Sequence, residues 1–222
     1  VILFVGALPR EFTGLLKRCT NVRRERLPVH WARSGELNGV PVLAIANGAG
    51  SLRAYAAVAG PDLRAVCNIG FCGALDPALQ VADVFVGTHV NGEEIRQPRS
   101  SRAAIAGRLA SIDHVARTSG EKRDLRASGA MAVEMEAAGA LRRARALNVP
   151  FYCVRVVSDL ATETLRCDFN RALRDDGRVS EARLAIQALT HPLTCLPELL
   201  RLGKRSALAS ERLGEFLAGC EF

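Results

Sequence analysis

A single α/β domain, with a mixed central sheet flanked by helices, is the fold class this sequence predicts. Three observations lead there. Short β-branched runs alternate with glycine turns and Ala- or Leu-rich helical stretches. The dipeptide Asn38-Gly39 joins two apolar runs, which marks one hairpin within the sheet. The chain has 222 residues, 49% of them hydrophobic, enough for one substantial core.

The elements follow in order. Residues 1–5, Val-Ile-Leu-Phe-Val, read as a first strand; without a basic flank or cleavage site they do not read as a signal peptide. A helix is expected from 11 to 19. Strands are expected at 29–33 and 40–46, then a glycine turn at 47–51 and an Ala-rich helix at 52–59. A buried strand at 66–69 should end in a second glycine turn, Gly70 to Gly73. Another strand is expected at 84–88. Residues 92–103 are polar, with Pro98 and several Arg, and read as a mobile loop. Residues 132–146 are helical by composition. Residues 151–157 form the strongest strand signal, entered after Pro150. The α/β domain is expected to span 1–178. The tail, 179–222, is Leu- and Arg-rich, and Pro192 and Pro197 should break it into helical pieces. It either packs on the domain or touches a membrane surface or another subunit.

Composition narrows the function. No run of about 18 uncharged apolar residues exists, so a transmembrane helix is not expected. The net charge of +7 suits phosphate-bearing ligands or an Arg-rich solvated surface. No basic stretch is interleaved with aromatics, so nucleic acid is not the expected partner. Seven Cys occur without a C-x-x-C spacing, which argues against a zinc site. Buried free thiols in a reducing cytoplasm are the expectation.

Three segments could carry chemistry. Gly6-Ala-Leu-Pro-Arg10-Glu11 follows the first strand. Free amides at a strand-to-helix turn suit an anion, and Arg10 could add a bidentate grip on phosphate. Glu11 could instead activate a water; a plain turn with a surface Arg-Glu pair is the simpler alternative. In Val133-Glu134-Met135-Glu136-Ala137, two acids sit in an apolar frame. A buried carboxylate needs donors, and vicinal sugar hydroxyls would supply two; acids stabilising a helix start are the alternative. Ser158-Asp159 ends the strongest strand, where ligands of such sheets bind. A partly desolvated Asp there could hand a proton to a leaving group, or it could simply cap the next helix.

Together these segments resemble the nucleoside phosphorylase/nucleosidase superfamily. Glu134-Met135-Glu136-Ala137 looks like the ribose-binding stretch of methylthioadenosine/adenosylhomocysteine nucleosidases and hexameric-type purine nucleoside phosphorylases. Residues 151–161, FYCVRVVSDLA, look like the strand ending in their catalytic Asp. Asn68-Ile-Gly70-Phe-Cys-Gly73 and the stretch from Gly35 to Gly50 resemble their glycine turns and hairpin. The order is kept over residues 1–161.

The resemblance implies a nucleoside phosphorylase-like fold and cleavage between a purine and ribose. Asp159 would be the general acid, oriented by Ser158. Glu136 would bind the ribose hydroxyls, with Met135 against the sugar. His114 and Val115 would lie in the purine-contacting loop, with Phe71 nearby. Gly6, Arg10 and Gly70 would bind phosphate, while Glu11 matches the water-activating acid of the nucleosidases. Phe71 and Asn68 depart from the phosphorylase pattern, which has Ser and Arg there. The tail, with Arg174-Asp-Asp-Gly177 and residues 196–202, resembles the hopanoid-associated phosphorylases. That implies phosphorolysis releasing adenine, with adenosylhopane as substrate. Hydrolysis and a non-catalytic nucleoside-binding role are the alternatives. Inorganic phosphate is the one co-substrate, with no cofactor or metal. A homo-oligomer in the cytoplasm, with peripheral membrane contact by the tail, completes the expectation.

Overall fold

A computed structural model describes residues 1–60 and 62–222. In chain order, β1 (Ile2–Gly6) leads through a 3-10 turn (Pro9–Phe12) into α1 (Thr13–Leu16) and edge strand β2 (Thr20–Arg24). The hairpin β3 (Trp31–Leu37) and β4 (Val40–Ala46) precedes α2 (Ser51–Ala57) and the long strand β5 (Ala65–Ala74). Then come β6 (Val84–Val90), β7 (Glu93–Glu94), β8 (Arg99–Ser100), β9 (Ile105–Ser111) and α3 (Ser119–Arg126). β10 (Ala132–Glu134) runs into α4 (Ala137–Ala146), followed by β11 (Phe151–Asp159) and α5 (Phe169–Ala172). Helices α6 (Glu181–Thr190) and α7 (Cys195–Leu217) and strand β12 (Cys220–Glu221) end the chain.

The main sheet runs β10-β9-β6-β11-β5-β1-β4-β3-β2, with β7 beside β6. β10 also pairs with β5, so β5, β11, β6, β9 and β10 close into a ring. β4, β1, β5 and β11 are mutually parallel, which brings their carboxyl ends to one edge. The hairpin turns at Asn38 and Gly39, whose φ values of 51° and 77° are the positive pair of a tight two-residue connection.

Alternation along β1 builds the two cores. Leu3 and Val5 face α2 and α4 through Ala54, Ala57, Ala140 and Ala144. Ile2 and Phe4 face the 3-10 turn, α1 and α7 through Phe12, Leu15, Leu213 and Phe216. Small residues let the helices approach closely. A Cβ on Gly139 would collide with the Ser51 carbonyl, and one on Gly14 or Gly214 with the facing backbone of α7 or α1.

Several expectations need correction. Gly70–Gly73 is not a turn but the second half of β5, kept in pairing by β11. Residues 132–134 are strand, and the helix starts only at Ala137. The stretch 92–103 carries two short strands, and β8 is held by β12 from the chain's far end. The helix expected from 11 to 19 is a 3-10 turn plus one short helix, because the chain must re-enter the sheet at Thr20. Pro197 does not break the tail. It sits in the first turn of α7, where its missing N–H has no helical partner to lose. Two of the seven thiols are not free: Cys167 and Cys195 form a disulfide. Among the described residues, no helix is long and apolar enough to cross a membrane.

Candidate functional site

The carboxyl ends of β1, β5 and β11 meet the turn between β10 and α4 around a cavity of about 170 Å³. Glu11, Phe71, His114, Val115, Met135, Glu136, Ser158 and Asp159 all line it. Of the expected site residues, Gly6, Gly70 and Arg10 do not.

Arg155 is the centre of the arrangement. It is fully buried on β11, in the middle of a run that is otherwise apolar from Phe151 to Val157. Its guanidinium donates to the carboxylates of Glu134 and Glu136, to the Asn68 side chain and to the Ile69 carbonyl. Burial alone would lower its pKa; Glu134, Cys153, Glu136 and Glu11 reverse this and hold it well above its ordinary value. The Arg is therefore a fixed positive charge.

The two acids of the Glu-Met-Glu segment divide their work. Glu134 accepts the backbone N–H groups of Glu136 and Ala137 at 2.8–3.1 Å, closing the open start of α4. Glu136 turns the other way. Its Oε1 accepts from Gly50 N at 3.1 Å and its Oε2 from Arg155 Nη1 at 3.3 Å. The strand-then-helix break at Glu136 lets both acids point inward, which a continuous helix would forbid. Burial, opposed by Arg155 and reinforced by Glu134 and Glu11, pushes the Glu136 carboxyl up to about 8.

Glu11 occupies the turn after β1. Its Oε2 accepts from Ala7 N and Leu8 N, both at 2.8 Å, and its Oε1 lies 3.4 Å from Phe71 N. Burial raises its pKa, against the Leu8 amide and the charges of Arg155 and Arg10, which lower it. Gly6 and Gly70 make room for this side chain. A Cβ on Gly6 would lie 2.9 Å from Glu11 Oε2, and one on Gly70 would lie 2.7 Å from Glu11 Oε1. Gly70 also has φ +146°, a conformation that suits glycine. The amides expected to cradle a phosphate are thus occupied by the chain's own carboxylate, and Arg10 is exposed to solvent.

Asp159 ends β11, where the register with β5 shifts by one residue. The Ser158 hydroxyl lies 2.7 Å from Asp159 Oδ1 and 3.1 Å from the Cys72 carbonyl, so its one proton serves one partner at a time. Asp159 Oδ2 accepts from the buried ammonium of Lys122. Asn170 clamps Val115 by both backbone atoms, at 2.8 and 3.0 Å. His114 is exposed at the cavity mouth between Asp113 and Glu121, whose hydrogen bonds raise its pKa.

Sequence reasoning gave no role to Arg155, Lys122 or Asn170. Arg155 had a signal, a lone charge inside FYCVRVV. Lys122 had none, since it lies in a charged stretch that reads as a solvated face.

Two buried carboxyls with raised pKa values, Glu11 and Glu136, stand beside the carboxyl ends of the parallel strands, where α/β sheets bind small molecules. The class defined is an α/β fold with a small cavity lined by buried carboxylates at its strand ends. The family model described as "Phosphorylase superfamily" matches residues 103–190. A 5′-methylthioadenosine/S-adenosylhomocysteine nucleosidase of Colwellia psychrerythraea is 24% identical, over 83% of this chain and 93% of its own length. The Streptococcus pneumoniae MTA/SAH nucleosidase structure with 8-aminoadenine superposes with TM-score 0.72 at 18% identity, covering 98% of this chain and 97% of that one. Futalosine hydrolase of Helicobacter pylori superposes with TM-score 0.70 at 16% identity, covering 97% and 94%. The chain thus shares the fold of these nucleosidases, and its residues 103–190 match the phosphorylase superfamily model.

Proposed function

We propose that this protein hydrolyses the bond between the purine and the ribose of an adenine nucleoside, with 5′-thioether nucleosides as the substrate class. One observation carries the choice of water over phosphate. The Glu11 carboxylate fills the amide turn after β1, with Gly6 beneath it and Gly70 beside it. An acid fixed there can take a proton from water, and the same amides are not free for an anion. The similarity to 5′-methylthioadenosine/S-adenosylhomocysteine nucleosidases supports this reading.

The remaining roles follow from the cavity. Glu136 accepts the ribose hydroxyls, and Met135 packs against the sugar. Phe71 and Val115 flank the base, with His114 at the mouth. Cleavage builds positive charge on the sugar and negative charge on the purine. Asp159, oriented by Ser158, passes a proton to purine N7; such catalysis is worth about 10²–10⁴-fold. The Glu136 carboxylate steadies the developing cation.

Phosphorolysis is the second reading, favoured by Arg10, one residue before Glu11 and exposed. It requires Glu11 to leave its amides. A lipid-linked 5′ substituent, as in adenosylhopane, fits the exposed Leu189, Leu193 and Leu200 of the tail. Adenine release from 5′-methylthioadenosine, adenosine and adenosylhopane, with and without inorganic phosphate, separates these. We expect release independent of phosphate and abolished in Glu11→Gln. A strict phosphate requirement, lost in Arg10→Ala, would replace hydrolysis by phosphorolysis.

A further inference from the structure

Lys122 is the one buried residue of α3, and none of its surface reaches solvent. An ammonium placed there loses several kcal/mol of hydration unless partners replace the water. Two do: its Nζ donates to Asp159 Oδ2 and, at 2.8 Å, to the Leu160 carbonyl. The helix carrying it is held in place. Thr118 caps it through Glu121 N at 3.1 Å, and Ser119 N donates to Thr164 Oγ1 at 3.2 Å on the segment following β11.

The other ionisable groups of the packed elements have partners of their own. Glu163 is bound by Arg205 and Arg201 of α7, and Asp168 by Arg117. Glu121 is bound by His114, and Arg126 by Asp76. Beneath Asp159 on β5, burial raises the Cys72 thiol and keeps it neutral. Arg123 and Asp124 of α3 are exposed. Among the described residues, Asp159 is the carboxylate that Lys122 reaches.

With Ser158 beside Oδ1 and Lys122 on Oδ2, both oxygens of Asp159 face donors. We propose that Lys122 is the positioning residue and proton reserve of Asp159, passing a proton through the Asp159 carboxyl to the leaving purine.

This rests on the hydrolytic reading above. The C1′–N9 bond breaks and its electron pair leaves with the purine. Purine N7 takes a proton by way of Asp159, and the Lys122 ammonium supplies it, becoming a neutral amine. The oxygen of water bonds to C1′, and its proton goes to the Glu11 carboxylate. The cycle closes when Glu11 releases that proton to solvent and Lys122 takes one up.

The test compares Lys122→Arg, Lys122→Met and Asp159→Asn in the full chain, with melting curves to show that each folds. Steady-state kinetics with 5′-methylthioadenosine, or with whichever nucleoside the parent turns over, are recorded across pH. Arg keeps the charge and the hydrogen bonds but does not release a proton. Lys122→Arg should therefore lose about 100-fold in kcat with KM little changed. In Lys122→Met, Asp159 must carry the proton alone, so the alkaline fall in kcat should move to lower pH. Recovery of parental kcat and pH profile in Lys122→Arg would overturn the proposal and leave Lys122 a structural counter-ion. Full activity in Asp159→Asn would instead remove the general acid from the hydrolytic reading itself.

Discussion

Glu136 Oε2 lies 3.3 Å from Arg155 Nη1, yet its carboxyl is pushed up to about 8. Arg155 is shared, since Glu134 takes the nearer nitrogen and adds its own negative charge beside Glu136. A carboxyl with that pKa keeps its proton at neutral pH. Ribose hydroxyls favour the carboxylate, so binding a nucleoside analogue at pH 7 should release a proton and tighten as pH rises toward 8. Calorimetry in two buffers of different ionisation enthalpy measures this. Equal heats in both would show that Glu136 is ionised before binding.

The same shift predicts a pH-dependent stability. A carboxyl raised from 4.5 to about 8 binds more protons folded than unfolded between those values. Its contribution is full below about 4.5 and lost as pH climbs through about 8. The carboxyls that are lowered, among them Asp76, Glu121, Glu163 and Glu211, act with the opposite sign below that window. His114, raised above 6.5, acts with the same sign as Glu136 from about 6.5 upward. The difference between parent and Glu136→Gln isolates Glu136. The parent's melting temperature should fall between pH 5 and 8, and the variant's should fall less. Parallel curves would refute the assignment.

Arg155→Met would leave Glu11, Glu134 and Glu136 without the charge that holds them. Breaking a buried pair in this way costs about 3–5 kcal/mol. The loss should be larger at pH 8 than at pH 5, because protonated carboxyls tolerate the missing cation. Urea unfolding at both pH values checks this; a pH-independent loss would mean that packing, not charge, explains Arg155.

The mixed α/β class and the strands β1, β3, β4, β5, β6 and β11 were legible from apolar runs and turns, because a buried strand signals itself by its own residues. The site was only partly so. Glu134 and Glu136 stand two residues apart, and composition alone suggested one helix with acids on two sides. The strand-to-helix break that aims both inward depends on β10 pairing with β9 and β5. Gly70 looked like a turn because glycine permits one; pairing with β11 keeps it in a strand, and its missing Cβ admits Glu11 and Arg155 instead. Lys122 was illegible because its partner lies 37 residues away, and a lone Lys between polar neighbours carries no periodic signal.

Two glycines should respond to alanine with opposite signs. Gly14 lies where α1 crosses α7, and its Cβ would collide with the Ser210 carbonyl. Ser210 Oγ also accepts from Gly14 N at 3.1 Å and lies 3.4 Å from the Glu11 carbonyl. Gly14→Ala should separate the helices, cost about 1–3 kcal/mol and shift Glu11 enough to lower turnover. Gly203 lies in the middle of α7 with open space around its Cβ site. Gly203→Ala should stabilise by roughly 0.4–1 kcal/mol and leave activity unchanged. Chemical denaturation of both, beside the parent, decides it.

The Cys167–Cys195 disulfide ties the segment after β11 to the start of α7, across 28 residues of sequence. Closing a loop of that length removes unfolded-state entropy worth roughly 3–4 kcal/mol. The corner has a second fastening. Buried Glu198 accepts from Arg166 N and Cys167 N at 2.9 and 2.8 Å, independently of sulfur. Reduction should therefore lower the melting temperature by roughly 5–15 °C without unfolding the protein at 25 °C. The Cys167→Ser, Cys195→Ser double variant should match the reduced protein and ignore reductant. Adding Glu198→Gln to it should open the corner, raising hydrogen exchange at Arg166 and Cys167 positions while the core strands stay protected. Exchange already fast there in the reduced parent would mean that the disulfide alone holds this corner.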